Sequence, residues 1–192
     1  PLITERTKFV LYNSPSNPCG TVGTTQEGKD LLDLCRRKGV LLISDEIYDE
    51  FAFPETLTET TADGSMQRCP SPARLPGAEE DVLLIRGFGK TYGCTGWRMG
   101  YAAGPKPLIE QINKMQQYTF VCAPSPLQAG CVPAFGIDMQ PTVRQYAARR
   151  DLVVEKLGAV TTLPTPGGAF YAFAEVPQRL GMTATQFIEK AV

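Results

Sequence analysis

The 192-residue sequence contains no histidine. That absence excludes Ser-His-Asp and Cys-His catalysis within the chain, and histidine-ligated zinc with them. Chemistry here must rest on Lys, Asp, Glu, Tyr, Cys, Arg or a bound cofactor. Long apolar runs are also missing. The longest, such as "VLLI", fall far short of the roughly 20 residues that span a bilayer. No segment joins a charged start to the apolar core of a signal peptide. Neither charge is in excess: 19 Lys and Arg face 20 Asp and Glu, a formal net charge of −1. Neither a basic nucleic-acid surface nor an acidic tail is indicated, so nucleic acid and membrane are not expected partners. The six cysteines (Cys19, Cys35, Cys69, Cys94, Cys122, Cys131) form no CxxC pair, which favours free thiols in a reducing cytosol over a disulfide framework. What remains is an ordinary globular composition, 43% apolar, long enough for one domain or for one and part of another.

The apolar runs are organised. "KFVLY" (8–12) reads as a short buried strand, and the Asn, Pro, Ser and Gly of "NSPSNPCG" as an irregular loop. Thr24-x-x-Glu27 has the form of a capping box before a helix through about Arg37, with Gly39 as its stop. "VLLIS" (40–44) is a second strand, so the three elements make a βαβ unit with parallel strands in a covered sheet. Residues 54–80, rich in proline and threonine, read as an excursion over the surface. "DVLLIRG" (81–87) and "RMGYAAG" (98–104) are further strands. Their connection is too short for a crossover helix, so this pair is expected to be antiparallel. Pro105 and Pro107 open a helix through about Gln117. "SPLQAGCVPAFG" predicts another helix interrupted at Pro133, and residues 140–157 an amphipathic, Arg-rich one. "GGAFYAFAEV" (167–176) reads as a strand and "TATQFIEKAV" as the start of a helix. The chain begins at Pro1 and ends in a running helical pattern, so both ends read as cut.

Three stretches place polar groups just past the C-terminal ends of predicted strands, the edge at which open α/β sheets bind ligands. Asn17 follows the first strand, Asp45 and Tyr48 the second, and Lys90 the third. Arg98 lies eight residues beyond the lysine. Each has a plainer reading. Asp45 is a favoured helix cap, Tyr48 a core ring with a wet tip, and Asn17 a turn residue. Arg98 could be an ion-pair partner, and Lys90 a side chain reaching solvent. Two phosphate motifs fail. A P-loop ending in Gly89-Lys90-Thr91 needs glycine at position 84, which is Leu84. A GxGxxG motif starting at Gly87 needs glycine at Tyr92.

One chemistry uses this set without histidine. Pyridoxal phosphate (PLP) requires a lysine amine for an imine, a carboxylate at its pyridinium nitrogen, donors at its phenolic oxygen and a cation at its phosphate. Here the sequence resembles the class I/II aminotransferases of the aspartate-aminotransferase type, within the fold-type-I PLP enzymes. "NSPSNPCG" is similar to their "NxPxNPTG" loop, "SDEIYDEF" to their "DEIY" stretch, and "GFGKTYGCTGWRMGY" to "SFSKTYxMTGWRxGY". "PGGAFYAF" is similar to the "PxGAFYxF" segment entering their small domain. The motifs run in family order, and the lysine block is the most specific of them.

The resemblance implies a three-layer α/β fold with a mostly parallel sheet. Residues 1–150 would be part of the PLP-binding large domain and residues 151–192 the beginning of a small α+β domain. It implies that Lys90 bonds the cofactor covalently, Asp45 pairs with the pyridine nitrogen, Asn17 and Tyr48 contact the phenolic oxygen, and Arg98 binds the phosphate. Asn17–Pro18 falls where the family often has a cis bond. The implied activity is amino-group transfer between an amino acid and a 2-oxo acid, by a homodimer when full length, with the isolated 192 residues inactive. Another PLP reaction on the same scaffold (a lyase or decarboxylase), or a non-catalytic PLP-sensing module, would use the same cofactor residues. Some positions depart from the family: Cys19 replaces a threonine, and Gly87 and Gly89 stand where serines are usual. A serine at position 87 is therefore expected to tighten PLP.

Overall fold

The structure, a computed structural model, describes residues 2–64 and 66–192. Its centre is a four-stranded sheet of β1 (Phe9–Asn13), β2 (Leu41–Asp45), β5 (Val82–Gly87) and β6 (Gly100–Ala103), in that spatial order. β1, β2 and β5 are parallel, with Asn13 beside Asp45 and Asp45 beside Ile85 in register. β6 runs antiparallel to β5 and pairs Gly100 with Gly87, as the short connection requires. A two-stranded ribbon, β3 (Glu59–Thr60) and β4 (Gln67–Arg68), lies in the β2–β5 connection.

α1 (Thr25–Lys38) starts at the expected capping box. The Thr24 hydroxyl accepts the Glu27 N–H at 3.1 Å, and the Glu27 carboxylate accepts the Thr24 N–H at 2.8 Å. The two bonds satisfy amides that a helix start otherwise leaves unpaired. Gly39 ends the helix at φ 62°, a conformation that costs a residue with a Cβ. Leu32 and Cys35 of α1 pack on Val40, Leu42 and Val82 with Ala78. A fully buried leucine is worth about 1.5–3 kcal/mol, so the helix is held to the sheet chiefly by this face. α2 (Phe88–Thr91) is a single turn after β5. α3 (Lys106–Thr119), α4 (Ser125–Cys131), α5 (Gln140–Gly158) and α6 (Ala184–Ala191) follow. Pro133 ends α4 as expected, in a short 3₁₀ stretch, and α5 runs unbroken through residues 150 and 151.

Four expectations are corrected. β1 is not buried on both faces, since Phe9 and Leu11 are more than half exposed; it is an edge strand with one side covered. Residues 54–80 are not only a surface excursion: Cys69, Ser71 and Ala78 are buried, drawn in by the α1 core and by a buried carboxylate described below. The helix that Asp45 would cap in its plainer reading does not form, and the segment after it makes only a 3₁₀ turn at Asp49–Phe51. Residues 167–176 do not form a strand. The segment makes one isolated bridge, Gly168 with Ala52, two loop bonds from the Gly167 and Gly168 N–H groups to the Gly20 carbonyl, and one later bond from the Glu175 N–H to the Thr162 carbonyl. An extended stretch becomes a ladder only where a neighbour pairs along its length. All six cysteines are unpaired thiols, and among the described residues no helix is long and apolar enough to cross a membrane.

Candidate active site

The loops after β1 and β2 are tied together by a residue that the sequence reading did not single out. The Asn13 amide donates to the Asp45 carbonyl at 3.1 Å, and its oxygen accepts the Asn17 N–H at 2.8 Å. Asn17–Pro18 is cis, as is Ser14–Pro15. Asp45 is half-buried, and its carboxylate accepts the Ile47 N–H at 3.2 Å. That is a local turn rather than a helix cap. Tyr48 is 2% exposed, and its hydroxyl shares a 2.6 Å hydrogen bond with the Tyr171 hydroxyl. Burial holds the Tyr48 phenol well above its ordinary range. The bond to Tyr171 and the nearby Asp45 charge add to the effect, and a hydrogen bond from Asn17 opposes it. Asn17, Asp45 and Tyr48 are therefore brought together.

Lys90 sits in α2, half-buried, with its Nζ 5.9 Å from the centre of the Phe170 ring. Tyr48 packs edge-on against the same ring at 5.2 Å, so Phe170 joins the lysine to the tyrosine. Arg98 adopts φ 54° at the end of the Thr95–Trp97 turn. Lys90 and Arg98 line one cleft of about 610 Å³ with Ile47, Ile85, Gly89 and Thr95. Among the described residues neither cation forms an ion pair, which removes the plainer reading of Arg98. An amine, a carboxylate, an amide, a phenol and a guanidinium at one sheet edge is the donor set that PLP takes, so the residues present fit that group.

Gly87 lies against Ile47. Its φ is −153°, an extended conformation open to any residue. A Cβ there would lie 2.4 Å from Ile47 Cδ1, so an isoleucine methyl fills the space of the missing side chain. Gly87→Ser alone is expected to destabilise by about 1 kcal/mol, the low end of overpacking, because the atom in the way is the free end of the Ile47 side chain. Pairing it with Ile47→Val, which removes that methyl, should restore most of the loss. Chemical denaturation of the two variants checks this; equal stability of Gly87→Ser and wild type would refute it.

Ser44, Glu46 and Arg86, alternating along the strands with Asp45, Ile85 and Gly87, build a charged cluster. Glu46 is 1% exposed. It accepts from Ser44 at 2.9 Å, from Ser71 at 2.6 Å and from Arg86 Nη2 at 2.7 Å. Arg86 Nη1 also lies 2.9 Å from Asp49. Burial pushes the Asp49 carboxyl up to about 6, outweighing the pull of Arg86. A raised carboxyl binds its proton more tightly in the folded state. Its contribution to stability is therefore complete below the unfolded value near 4 and is lost as pH rises through about 6. The Asp49→Asn variant should lack that loss, worth about 2–3 kcal/mol between pH 4 and pH 7. Thermal unfolding of both proteins at the two pH values measures it; parallel pH profiles would count against it.

Tyr171, Phe170, Asn13 and Ile47 were not legible as site residues. The only signal for the first two was "GAFY", read as a strand. For Asn13 it was an asparagine closing an apolar strand before a Pro-rich loop.

Comparison with known proteins gives the family of the chain. The family described as aminotransferase class I and II matches residues 1–192, and the chain belongs to it. An aspartate aminotransferase of Geobacillus stearothermophilus is 32% identical over 195 residues, covering 99% of this chain and 47% of the relative. One from Rhizobium meliloti is 37% identical over 186 residues, covering 93% and 43%. The crystal structure of an aromatic aminotransferase from Pyrococcus horikoshii superimposes with a TM-score of 0.87 at 30% identity, covering 98% of this chain and 49% of that one. The chain spans about half the length of the curated relatives it matches.

Proposed function

We propose that the protein carrying this chain is a PLP-dependent aminotransferase moving an amino group between an amino acid and a 2-oxo acid. The observation that carries this reading is the convergence of Asn17, Asp45 and Tyr48 with Lys90 across the Phe170 ring. PLP supplies an electron sink for a carbanion at the substrate's α-carbon. The chain's residues would do the rest. Lys90 bonds the cofactor and then moves the proton at the α-carbon. The Asp45 carboxylate holds a proton on the ring nitrogen, Asn17 and Tyr48 donate to the phenolic oxygen, and Arg98 pairs with the phosphate. Residues 1–150 would belong to the large domain and 151–192 to the start of the small one, with α5 running between them. The family resemblance makes a homodimer the expected assembly.

The relatives are named for aspartate and for aromatic aminotransferase activity, so donors of both kinds belong in the test. A donor should change the absorbance of the bound cofactor, and a 2-oxo acid should restore it, the two half-reactions of a ping-pong cycle. Release of ammonia or carbon dioxide, with no restoration by any 2-oxo acid, would favour a lyase or decarboxylase instead.

A further inference from the structure

We propose that Trp97 is a positioning residue, seated on α4, that keeps Arg98 turned into the cleft for the cofactor's phosphate. The inference rests on the aminotransferase reading. Arg98 has φ 54°, a left-handed conformation that disfavours a residue with a Cβ and persists only where the surroundings impose it. The bonds within the turn impose little. The Trp97 N–H donates to the Cys94 carbonyl at 3.0 Å, but the Arg98 N–H reaches the Thr95 carbonyl only at 3.4 Å, longer than the usual range for such a bond.

The two residues flanking Arg98 are anchored instead. Before it, the Trp97 ring lies on α4 at a point where that helix has no side chain: a Cβ on Gly130 would come within 3.1 Å of the ring atoms Cη2 and Cζ3. After it, Met99 is buried with Phe88, Cys131 and Ala134, and its carbonyl accepts the Phe88 N–H at 3.1 Å. Gly130 and Cys131 are consecutive at the C-terminal end of α4, so one helix end holds both neighbours of the arginine. Trp97 keeps 42% of its surface exposed, and neither it nor Gly130 lines the cleft that Arg98 shares with Lys90. A ring left so open adds little to a core. Its seat at Gly130 instead fixes the direction in which the next residue turns.

The test titrates the apo form of the full-length protein with PLP and with pyridoxal, which has the same ring and aldehyde but no phosphate. Trp97→Ala removes the ring and leaves Arg98 in place. It should raise the PLP dissociation constant about tenfold, the factor expected when a left-handed residue must be fixed on binding. The pyridoxal constant should stay as it is. Gly130→Val fills the gap from the α4 side and should give the same phosphate-selective loss with Trp97 intact, so the outcome does not depend on the alanine variant folding. On an Arg98→Ala background neither change should weaken PLP further. A folded form of either variant that binds PLP as the wild type does, or that loses PLP and pyridoxal alike, overturns the inference while leaving the aminotransferase reading intact. So does a lower melting temperature with the ratio of the two constants unchanged, or an equal loss without the Arg98 guanidinium. A wild-type preference for PLP over pyridoxal that Arg98→Ala leaves undiminished overturns the role given to Arg98 and the inference with it. A wild-type protein that takes no PLP overturns the aminotransferase reading as well.

Discussion

Lys90→Ala, in the full-length protein, should abolish transamination, with turnover falling by more than about 10⁴-fold. Proton transfer by a positioned group contributes about 10²–10⁴ by itself, and here the same amine also makes the covalent bond. No neighbour can stand in for it. Lys106 and Lys114 lie on α3, both exposed, with Lys106 beside Glu110. Borohydride reduction of the loaded protein followed by peptide mapping should place the phosphopyridoxyl label on Lys90. A label confined to Lys106 or Lys114 would sink the assignment, as would substantial turnover in the alanine variant.

Glu46→Ala should cost about 3–5 kcal/mol of stability, the penalty for removing one partner of a buried ion pair. The loss leaves the Ser44 and Ser71 hydroxyls without their carboxylate and Arg86 with Asp49 alone. Because Glu46 follows Asp45 directly and accepts from Ser71, the cluster pins the turn that carries Asp45 and Tyr48. Exchanging the whole cluster, Glu46→Leu with Arg86→Met and Asp49→Asn, should cost less than the single change, since no charge is then stranded. Denaturant midpoints of the three proteins decide the matter. A single variant within about 1 kcal/mol of wild type would show that Glu46 is not a structural keystone.

Most regular elements and the candidate site residues could be read in the sequence for identifiable reasons. The capping box at Thr24, the glycine stop at Gly39 and the apolar runs of β2 and β5 are local signals. The antiparallel turn of β6 followed from connection length alone. Asn17, Asp45, Tyr48 and Lys90 stood out because polar groups past strand ends converge in this kind of sheet, and Arg98 by its place eight residues beyond the lysine. The rest was hidden because it depends on distant pairings. Nothing near Tyr171 in sequence announces Tyr48, and nothing near Gly87 announces that an Ile47 methyl fills its missing side chain. Ser71 looked like part of a surface loop because its reason for burial, Glu46, lies 25 residues away.

The antiparallel β5–β6 pair sets how unevenly the site is assembled. Lys90 and Arg98 are separated by eight residues on one hairpin connection, which the Phe88 N–H bond to the Met99 carbonyl closes at its base. The Tyr48–Tyr171 contact closes a span of 123 residues. For flexible chains of those lengths, the longer closure costs about 2 kcal/mol more in entropy. The two cations are thus set at their spacing by a short piece of chain, whereas the phenol pair depends on everything folded between its members. A substitution that loosens the chain between β2 and residue 171, outside residues 88–99, would first uncouple the hydroxyl pair, while the spacing of lysine and arginine survives.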